Sequence, residues 1–226
     1  MQTVTTLCGD DAMDWQEIES ALKACPIVPV LAVPHIDDAA PLATALAAGG
    51  ITVSEITLRT DAGLPSIAAF KSSAPGMVVG MGTVLSPADL DASVAAGADF
   101  IVTPGFDAGL LAALAQSPVP TLPGVGTAGE AMAARNAGIK RVKLFPAEVV
   151  GGAAMIKGLG GPLQDMAFMP TGGVTLDNMG DYLALKNVYA VGGTWIAKTE
   201  HIEAGDWEGI ANRAKAAREA ALNLRR

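Results

Sequence analysis

Eight short apolar runs rich in β-branched residues recur along the chain, each followed by an Ala-rich stretch of helical character. The runs are Ile27–Val33, Val53–Leu58, Met77–Gly82, Phe100–Thr103, Thr121–Val125, Arg141–Phe145, Ala167–Pro170 and Val188–Val191. Their starts fall about 23 residues apart, the length needed for one strand, one helix and two short loops. Strands separated by helices pair in parallel through right-handed crossovers. The helix candidates are Asp37–Ala48, Leu64–Ser72, Pro87–Ala96, Asp107–Gln116, Ala128–Ala137, Ala153–Leu159, Leu176–Lys186 and Asp206–Leu224. Local signals agree. Gly49-Gly50, Gly97 and Gly138 each follow an Ala-rich stretch, where a left-handed cap favours Gly. Ser86-Pro87 reads as an N-cap followed by Pro in the first turn. A further helix, Asp14–Ala24, opens on a capping box formed by Asp14 and Glu17.

Two architectures accommodate such alternation. An open dinucleotide-binding sheet carries a glycine fingerprint after its first strand. Here the first run is followed by Pro34-His35-Ile36-Asp37, with no glycine. The Gly-Gly pairs instead follow the last two runs, as in a closed barrel, which needs roughly 200 residues at minimum. The chain has 226 residues, enough for the barrel and too few for a second domain. The expected fold is a single (β/α)8 TIM barrel spanning residues 1–226, with an N-terminal extension at 1–13 and a leading helix at 14–25.

Composition narrows the function classes. Half of the residues are hydrophobic, which excludes intrinsic disorder, and 26 Gly with 14 Pro argue against a long coiled coil. Apolar runs such as Pro26–Pro34 are far shorter than the roughly 20 residues of a membrane span. No secretory signal is visible and the two cysteines, Cys8 and Cys25, are too few for a disulfide scaffold, so a cytoplasmic protein with free thiols is expected. The net charge of −8 lacks the basic footprint of a nucleic-acid binder. A small anion is compatible with that charge, because backbone amides and a few local cations suffice to hold one.

In a barrel of this kind the chemistry lies at the C-terminal ends of the strands. Alternation along the second run places Glu55, Thr57 and Arg59 on one face, toward the barrel interior or its mouth. Along the sixth run Lys143 and Phe145 share a face, with Val142 and Leu144 on the other. Of eight lysines, only Lys143 falls in the middle of an apolar strand. A lysine in such a place loses hydration, which disfavours the ammonium and favours the amine that attacks a ketone. The bland alternative is that Lys143 and Glu55 merely pair as filler; a buried pair is poor value for stability, which favours a chemical role.

Two glycine pairs suit a phosphate: Thr171-Gly172-Gly173 after the seventh run and Gly192-Gly193-Thr194 after the eighth. Thr83 and Pro104 end the third and fourth runs and would line the mouth. His35 and His201 are isolated and read as surface residues, so no metal is expected.

The stretches Pro26–Val30, Glu55–Thr60, Gly82–Leu85, Pro104-Gly105, Pro123-Gly124, Lys143–Glu148, Pro170–Gly173 and Gly192–Trp195 together resemble the 2-keto-3-deoxy-6-phosphogluconate aldolases, also described as 4-hydroxy-2-oxoglutarate aldolases. The resemblance runs in order from about residue 14 to the C-terminus. It implies a class I aldolase of the Entner–Doudoroff pathway, a trimer of (β/α)8 subunits that needs no cofactor. Its substrate would be a phosphorylated keto-acid, split into pyruvate and glyceraldehyde 3-phosphate. By position, Lys143 matches the Schiff-base lysine and Glu55 the general acid/base. Arg59 and Thr83 match the groups that hold the carboxylate, and Phe145 and Pro104 the apolar walls. Thr171–Gly173 and Gly192–Thr194 match the phosphate- and hydroxyl-binding turns. Gly126 and Thr103 each stand where Ser is commoner, and neither change removes a chemical group named here. Thr171 favours the gluconate epimer, because the galactonate branch usually carries an apolar residue there.

Three other readings are separable. A metal-dependent phosphosugar epimerase needs His and Asp ligands at the strand ends, which are missing. A non-catalytic sugar-phosphate-binding barrel explains the glycine turns but not an interior lysine and glutamate. A purely structural pair predicts that Lys143→Met leaves stability unharmed, whereas an aldolase loses turnover.

Overall fold

The computed structural model of the protein describes residues 13–225. The extension expected at 1–13, apart from Met13, lies outside them, as does Cys8. The chain opens with α1 (Trp15–Ala24), then β1 (Ile27–Leu31), α2 (Ile36–Ala48), β2 (Val53–Thr57), α3 (Gly63–Ser73) and β3 (Val78–Gly82). There follow α4 (Pro87–Ala95), β4 (Phe100–Val102), α5 (Ala108–Ala115), β5 (Thr121–Leu122), β6 (Gly124–Val125), α6 (Ala128–Asn136) and β7 (Arg141–Leu144). The last third holds α7 (Gly152–Leu159), β8 (Ala167–Pro170), α8 (Met179–Leu183), β9 (Val191–Gly193), α9 (Thr199–Glu203) and α10 (Trp207–Leu224).

All strand pairs are parallel. Six strands order as β5-β4-β3-β2-β1-β9 and three as β6-β7-β8, giving an α/β fold with a curled parallel sheet. The expected fifth strand is split at Pro123, which has no N–H to donate. Thr121-Leu122 pairs with β4, while Gly124-Val125 pairs with β7. Pro123 still accepts from Lys143 N–H at 3.0 Å, so the chain steps from one sheet to the other at this residue. On the far side, single parallel bridges Phe168–Val188 and Thr171–Gly192 link the β8 side to the β9 side.

Alternation sorts the apolar side chains onto two faces. Ile27, Leu31, Ile56, Val79, Met81, Val142, Leu144 and Phe168 belong to the cluster under the helices. Val28, Val53, Val78, Phe100, Val102, Leu122 and Met169 form a second cluster on the inner face, joined by Ile18 and Leu22 of α1. Helix α1 lies across the strand starts. Its Ala21 carbonyl accepts from Thr52 Oγ1 (2.8 Å), just before β2. Its Glu19 pairs with Arg141, the first residue of β7, and Arg141 stacks on Trp15 at 5.0 Å. The opposite ends of the strands are left for the site.

The caps form as expected. Asp14 Oδ1 accepts from the amides of Gln16 and Glu17, and Glu17 returns a bond to Asp14 N–H at 2.9 Å. Ser86 Oγ accepts from Asp89 N–H at 3.1 Å. Gly50, Gly97 and Gly138 all take positive φ. Three further points differ from expectation. The helix expected at Leu176–Lys186 is only Met179–Leu183, because Asn178 Oδ1 accepts from Thr175 N–H and holds the preceding residues in a turn. Helix α9 was not anticipated. The strand expected at Val188–Val191 begins instead at Val191, so Gly192 and Gly193 lie inside β9 and not in a turn after it.

Candidate active site

Glu55 stands in the centre of β2, opposite Val30 of β1 and Gly80 of β3. Lys143 is the third residue of β7, between Gly124 of β6 and Met169 of β8. Both side chains turn to the inner face, because their neighbours Ile56, Val142 and Leu144 pack under the helices. They meet there: Lys143 Nζ lies 3.0 Å from Glu55 Oε1 and 3.3 Å from Oε2. The pair is almost fully buried, at 4% exposure for Lys143 and 1% for Glu55. The contact joins the six-stranded sheet to the three-stranded one. Such a pair in an apolar interior is costly to bury, and its geometry permits direct proton transfer between amine and carboxylate.

Phe145 follows β7, and its half-buried ring centre lies 5.3 Å from Lys143 Nζ. Pro104 follows β4 and is half-buried; its carbonyl side crowds Gly124, whose N–H donates to the buried Thr103 hydroxyl at 3.2 Å. Thr83 follows β3 with φ of 61°, a left-handed conformation unusual for a residue with a branched Cβ. Backbone strain of that kind costs about 1–3 kcal/mol and concentrates at functional sites.

Arg59 requires a correction. Strand alternation does not reach it, because β2 ends at Thr57. Thr57 and Thr60 each donate a hydroxyl to the first strand segment, to Leu31 O (2.8 Å) and Val33 O (2.6 Å). Those two bonds hold a turn that presents Arg59 to solvent, beyond the strand end.

Thr171, Gly172 and Gly173 follow β8, with Gly172 and Gly173 at φ of 97° and 83°. Among the described residues, neither glycine N–H donates to a protein acceptor. The Thr171 hydroxyl is buried and has no partner among the described residues. Gly192 and Gly193 are buried strand residues, so their lack of a side chain serves close packing: a Cβ on Gly192 would collide with Thr171 Oγ1, and one on Gly193 with the Trp195 ring. Only Thr194 of that trio is exposed and outside the strand. The bridge between Thr171 and Gly192 nevertheless brings the two segments side by side.

The sequence reading picked out neither Gly82, where a Cβ would overlap the Glu55 carboxylate, nor Glu148 and Tyr182, whose side chains hydrogen-bond one another. Gly82 and Glu148 stand in stretches quoted above, but close approach to a glycine is invisible in a linear pattern. Among the described residues no group of three His, Cys, Asp or Glu side chains is arranged to hold a metal. His35 is exposed, and His201 is half-buried with Nδ1 accepting from Lys198 N–H at 3.3 Å. Cys25 is a buried free thiol pushed up by burial, remote from the strand ends that carry the site.

The family model for KDPG and KHG aldolases matches residues 18–213. A 2-dehydro-3-deoxy-phosphogluconate aldolase of Pseudomonas aeruginosa is 45% identical over 92% of this chain and 95% of its own length. A KHG/KDPG aldolase of Escherichia coli is 41% identical over 90% of this chain and 95% of its own. Among solved structures, KDPG aldolase from Legionella pneumophila, with pyruvate captured as a covalent carbinolamine, superposes with a TM-score of 0.84 at 38% identity, covering 88% of this chain and 97% of that one. The chain therefore belongs to the KDPG and KHG aldolase family.

Proposed function

We propose that this protein is a class I aldolase, a lyase that cleaves 2-keto-3-deoxy-6-phosphogluconate to pyruvate and glyceraldehyde 3-phosphate. The same site would split 4-hydroxy-2-oxoglutarate to pyruvate and glyoxylate. The observation that carries the reading is the buried contact of Lys143 Nζ with Glu55 Oε1 at 3.0 Å. Family membership and the carbinolamine of the Legionella relative support it.

The chemistry follows from that contact. Glu55 takes a proton from Lys143, and the freed amine attacks the C2 ketone. Glu55 returns the proton to the carbinolamine hydroxyl, which leaves as water and gives a protonated imine. The imine draws electrons from the C3–C4 bond while Glu55, directly or through a water, accepts the C4 hydroxyl proton. Glyceraldehyde 3-phosphate departs. The enamine is protonated at C3, and water hydrolyses the pyruvate imine to restore Lys143.

Around this centre we assign Arg59 and Thr83 to the C1 carboxylate, and Phe145 and Pro104 to the walls beside the pyruvate carbons. Arg59 sits on the rim, where its guanidinium is free to make charge-assisted hydrogen bonds to a carboxylate. Thr171 is assigned to a substrate hydroxyl, favouring the gluconate over the galactonate epimer. The free amides of Gly172 and Gly173, with Thr194 and the close-packed Gly192-Gly193 behind it, are assigned to the phosphate. Phosphate binding remote from C3–C4 supplies energy for holding the reacting end in place.

The fold reading goes with this. The step at Pro123 and the bridges between the β8 and β9 sides support one closed (β/α)8 barrel and a single domain. We also infer a cytoplasmic homotrimer, following the resemblance; light scattering coupled to size exclusion tests the assembly.

Borohydride reduction in the presence of pyruvate and a chelator, followed by peptide mass mapping, tests the function. A reduced pyruvate adduct on Lys143 is expected. No adduct, with chelator-sensitive activity in its place, would overturn the Schiff-base reading.

A further inference from the structure

Every carbonyl of the Thr171–Gly173 turn is occupied by protein. Ala147 N–H donates to Thr171 O at 2.8 Å and Glu148 N–H to Gly172 O at 3.1 Å. Asn178 Nδ2 donates to Gly173 O at 3.0 Å. The turn's negative ends are thus tied down, and the amides of Gly172 and Gly173 remain for an anion. The side chain of Glu148 packs on the same turn: a Cβ on Gly173 would lie 2.5 Å from Glu148 Cγ. This places a carboxylate beside amides suited to a phosphate. The Glu148 carboxylate accepts a hydrogen bond from the hydroxyl of Tyr182, a buried residue of α8. Gly152, at φ of 58°, leaves room for that contact, since a Cβ there would lie 3.1 Å from the Tyr182 hydroxyl and 3.4 Å from Glu148 Oε1.

We propose that Tyr182 and Glu148 are a positioning pair: Tyr182 holds the Glu148 carboxylate away from the Gly172 and Gly173 amides, so that the Glu148 backbone can shape the turn while its charge does not compete with the substrate's phosphate. The proposal rests on the phosphate assignment made above. One further fact fits. Burial, and then the bond to Glu148, raise the Tyr182 phenol above its ordinary range, so it keeps the proton it must donate. Removing Tyr182's hydroxyl would release a charged side chain next to the anion site, where like charges repel.

The test compares wild type, Tyr182→Phe and the double variant Tyr182→Phe/Glu148→Gln on two substrates, the phosphorylated six-carbon keto-acid and unphosphorylated 4-hydroxy-2-oxoglutarate. Inhibition by inorganic phosphate is measured alongside. Tyr182→Phe should raise KM for the phosphorylated substrate and the inhibition constant of phosphate about tenfold, the order of a like-charge repulsion at close range in a partly solvated site. Its kcat and KM on the unphosphorylated substrate should stay at wild-type values. Removing the freed charge in the double variant should restore most of the phosphate affinity, which a merely structural lesion would not do. Equal losses on both substrates, or no rescue, would overturn the proposal. Should Tyr182→Phe not fold, Glu148→Ala gives the same decision: it removes the charge but keeps the backbone bond, and a selective loss of phosphate affinity there would contradict the proposed masking. Wild type indifferent to inorganic phosphate would instead sink the phosphate assignment itself, and the pair's role with it. Phosphate binding present in wild type and unchanged in Tyr182→Phe sinks only the pair.

Discussion

Gly82 and Glu55 face one another across β2 and β3 with no space for a methyl group between them: a Cβ on Gly82 would overlap the Glu55 carboxylate. The register explains it. Thr57 pairs with Gly82 and Glu55 with Gly80, so both glycines of β3 lie on the inner face beside the glutamate. Gly80 leaves room for the Phe100 ring and Gly82 for the carboxylate, which is thereby directed at Lys143.

Gly82→Ala should therefore act on chemistry through Glu55. The displaced carboxylate loses its contact with Lys143, and kcat should fall about 100-fold, the lower range for losing a positioned acid/base. Overpacking should also cost about 1–3 kcal/mol of stability. Steady-state kinetics and urea unfolding on the same preparation check both; unchanged kcat in a folded variant would show that Glu55 does not need this wall.

The buried pair makes a prediction about stability. Lys143→Met leaves Glu55 without a partner, and Glu55→Gln leaves Lys143 without one. Each single change should destabilise the fold by roughly 3–5 kcal/mol, as breaking a buried pair does, so the unharmed stability that the filler reading expects of Lys143→Met belongs to the double variant instead. The double variant should recover most of the loss while remaining inactive. Denaturant midpoints give the cycle; two singles as stable as wild type would show that the contact contributes nothing to the fold.

Thr171→Val separates stability from binding. The Thr171 hydroxyl is buried with no partner among the described residues, so replacing it by a methyl should leave stability unchanged or slightly improved. KM for the phosphorylated keto-acid should rise about tenfold, because a site built to bond a hydroxyl discriminates when that bond is lost. A KM equal to wild type would remove Thr171 from the substrate site.

Arg59→Ala should raise KM for both keto-acids by about 10–100-fold, the loss of a charge-assisted bond to the shared carboxylate. Stability should stay within about 0.5 kcal/mol, since the side chain is exposed. Kinetics on the two substrates with a thermal melt decide it; an unchanged KM would place the carboxylate elsewhere.

Acid should remove a small part of the stability through Asp165. Hydrogen bonds from Arg135 and Lys140 hold its carboxyl at about 2. Between about pH 4 and about pH 2 the unfolded chain carries a proton there that the folded chain does not, so stability drops as pH drops. Asp165→Asn should lose less over that window. The difference is modest because the groups are solvated. Melting temperatures at stepped pH measure it, and identical slopes would show that the ion pairs contribute nothing.

The strand–helix order, the caps at Asp14 and Ser86 and the left-handed glycines were legible because each depends on neighbours within about four residues. The interior place of Lys143 and Glu55 was legible for a related reason: a strand has period two, so one charged residue between apolar neighbours declares its face. Where local signals competed with distant ones the reading failed. Pro123 divides a strand because its two neighbours pair with different sheets, and Gly192-Gly193 extend β9 because β1 lies alongside. Arg59 left the strand pattern because Thr57 and Thr60 bond back to the Leu31 and Val33 carbonyls.

The sequence by itself thus determined the faces of strand-interior residues such as Glu55 and Lys143, since the alternation of a strand is a local property. The tertiary structure alone decided that Lys143 and Glu55, 88 positions apart, meet at hydrogen-bond distance. It alone assigned Gly82 to the carboxylate, and Glu148 with Tyr182 to the turn at Gly172. Those relationships depend on how far each strand is shifted along its neighbour and on which side chains fill the space between, and both are settled only when the core packs.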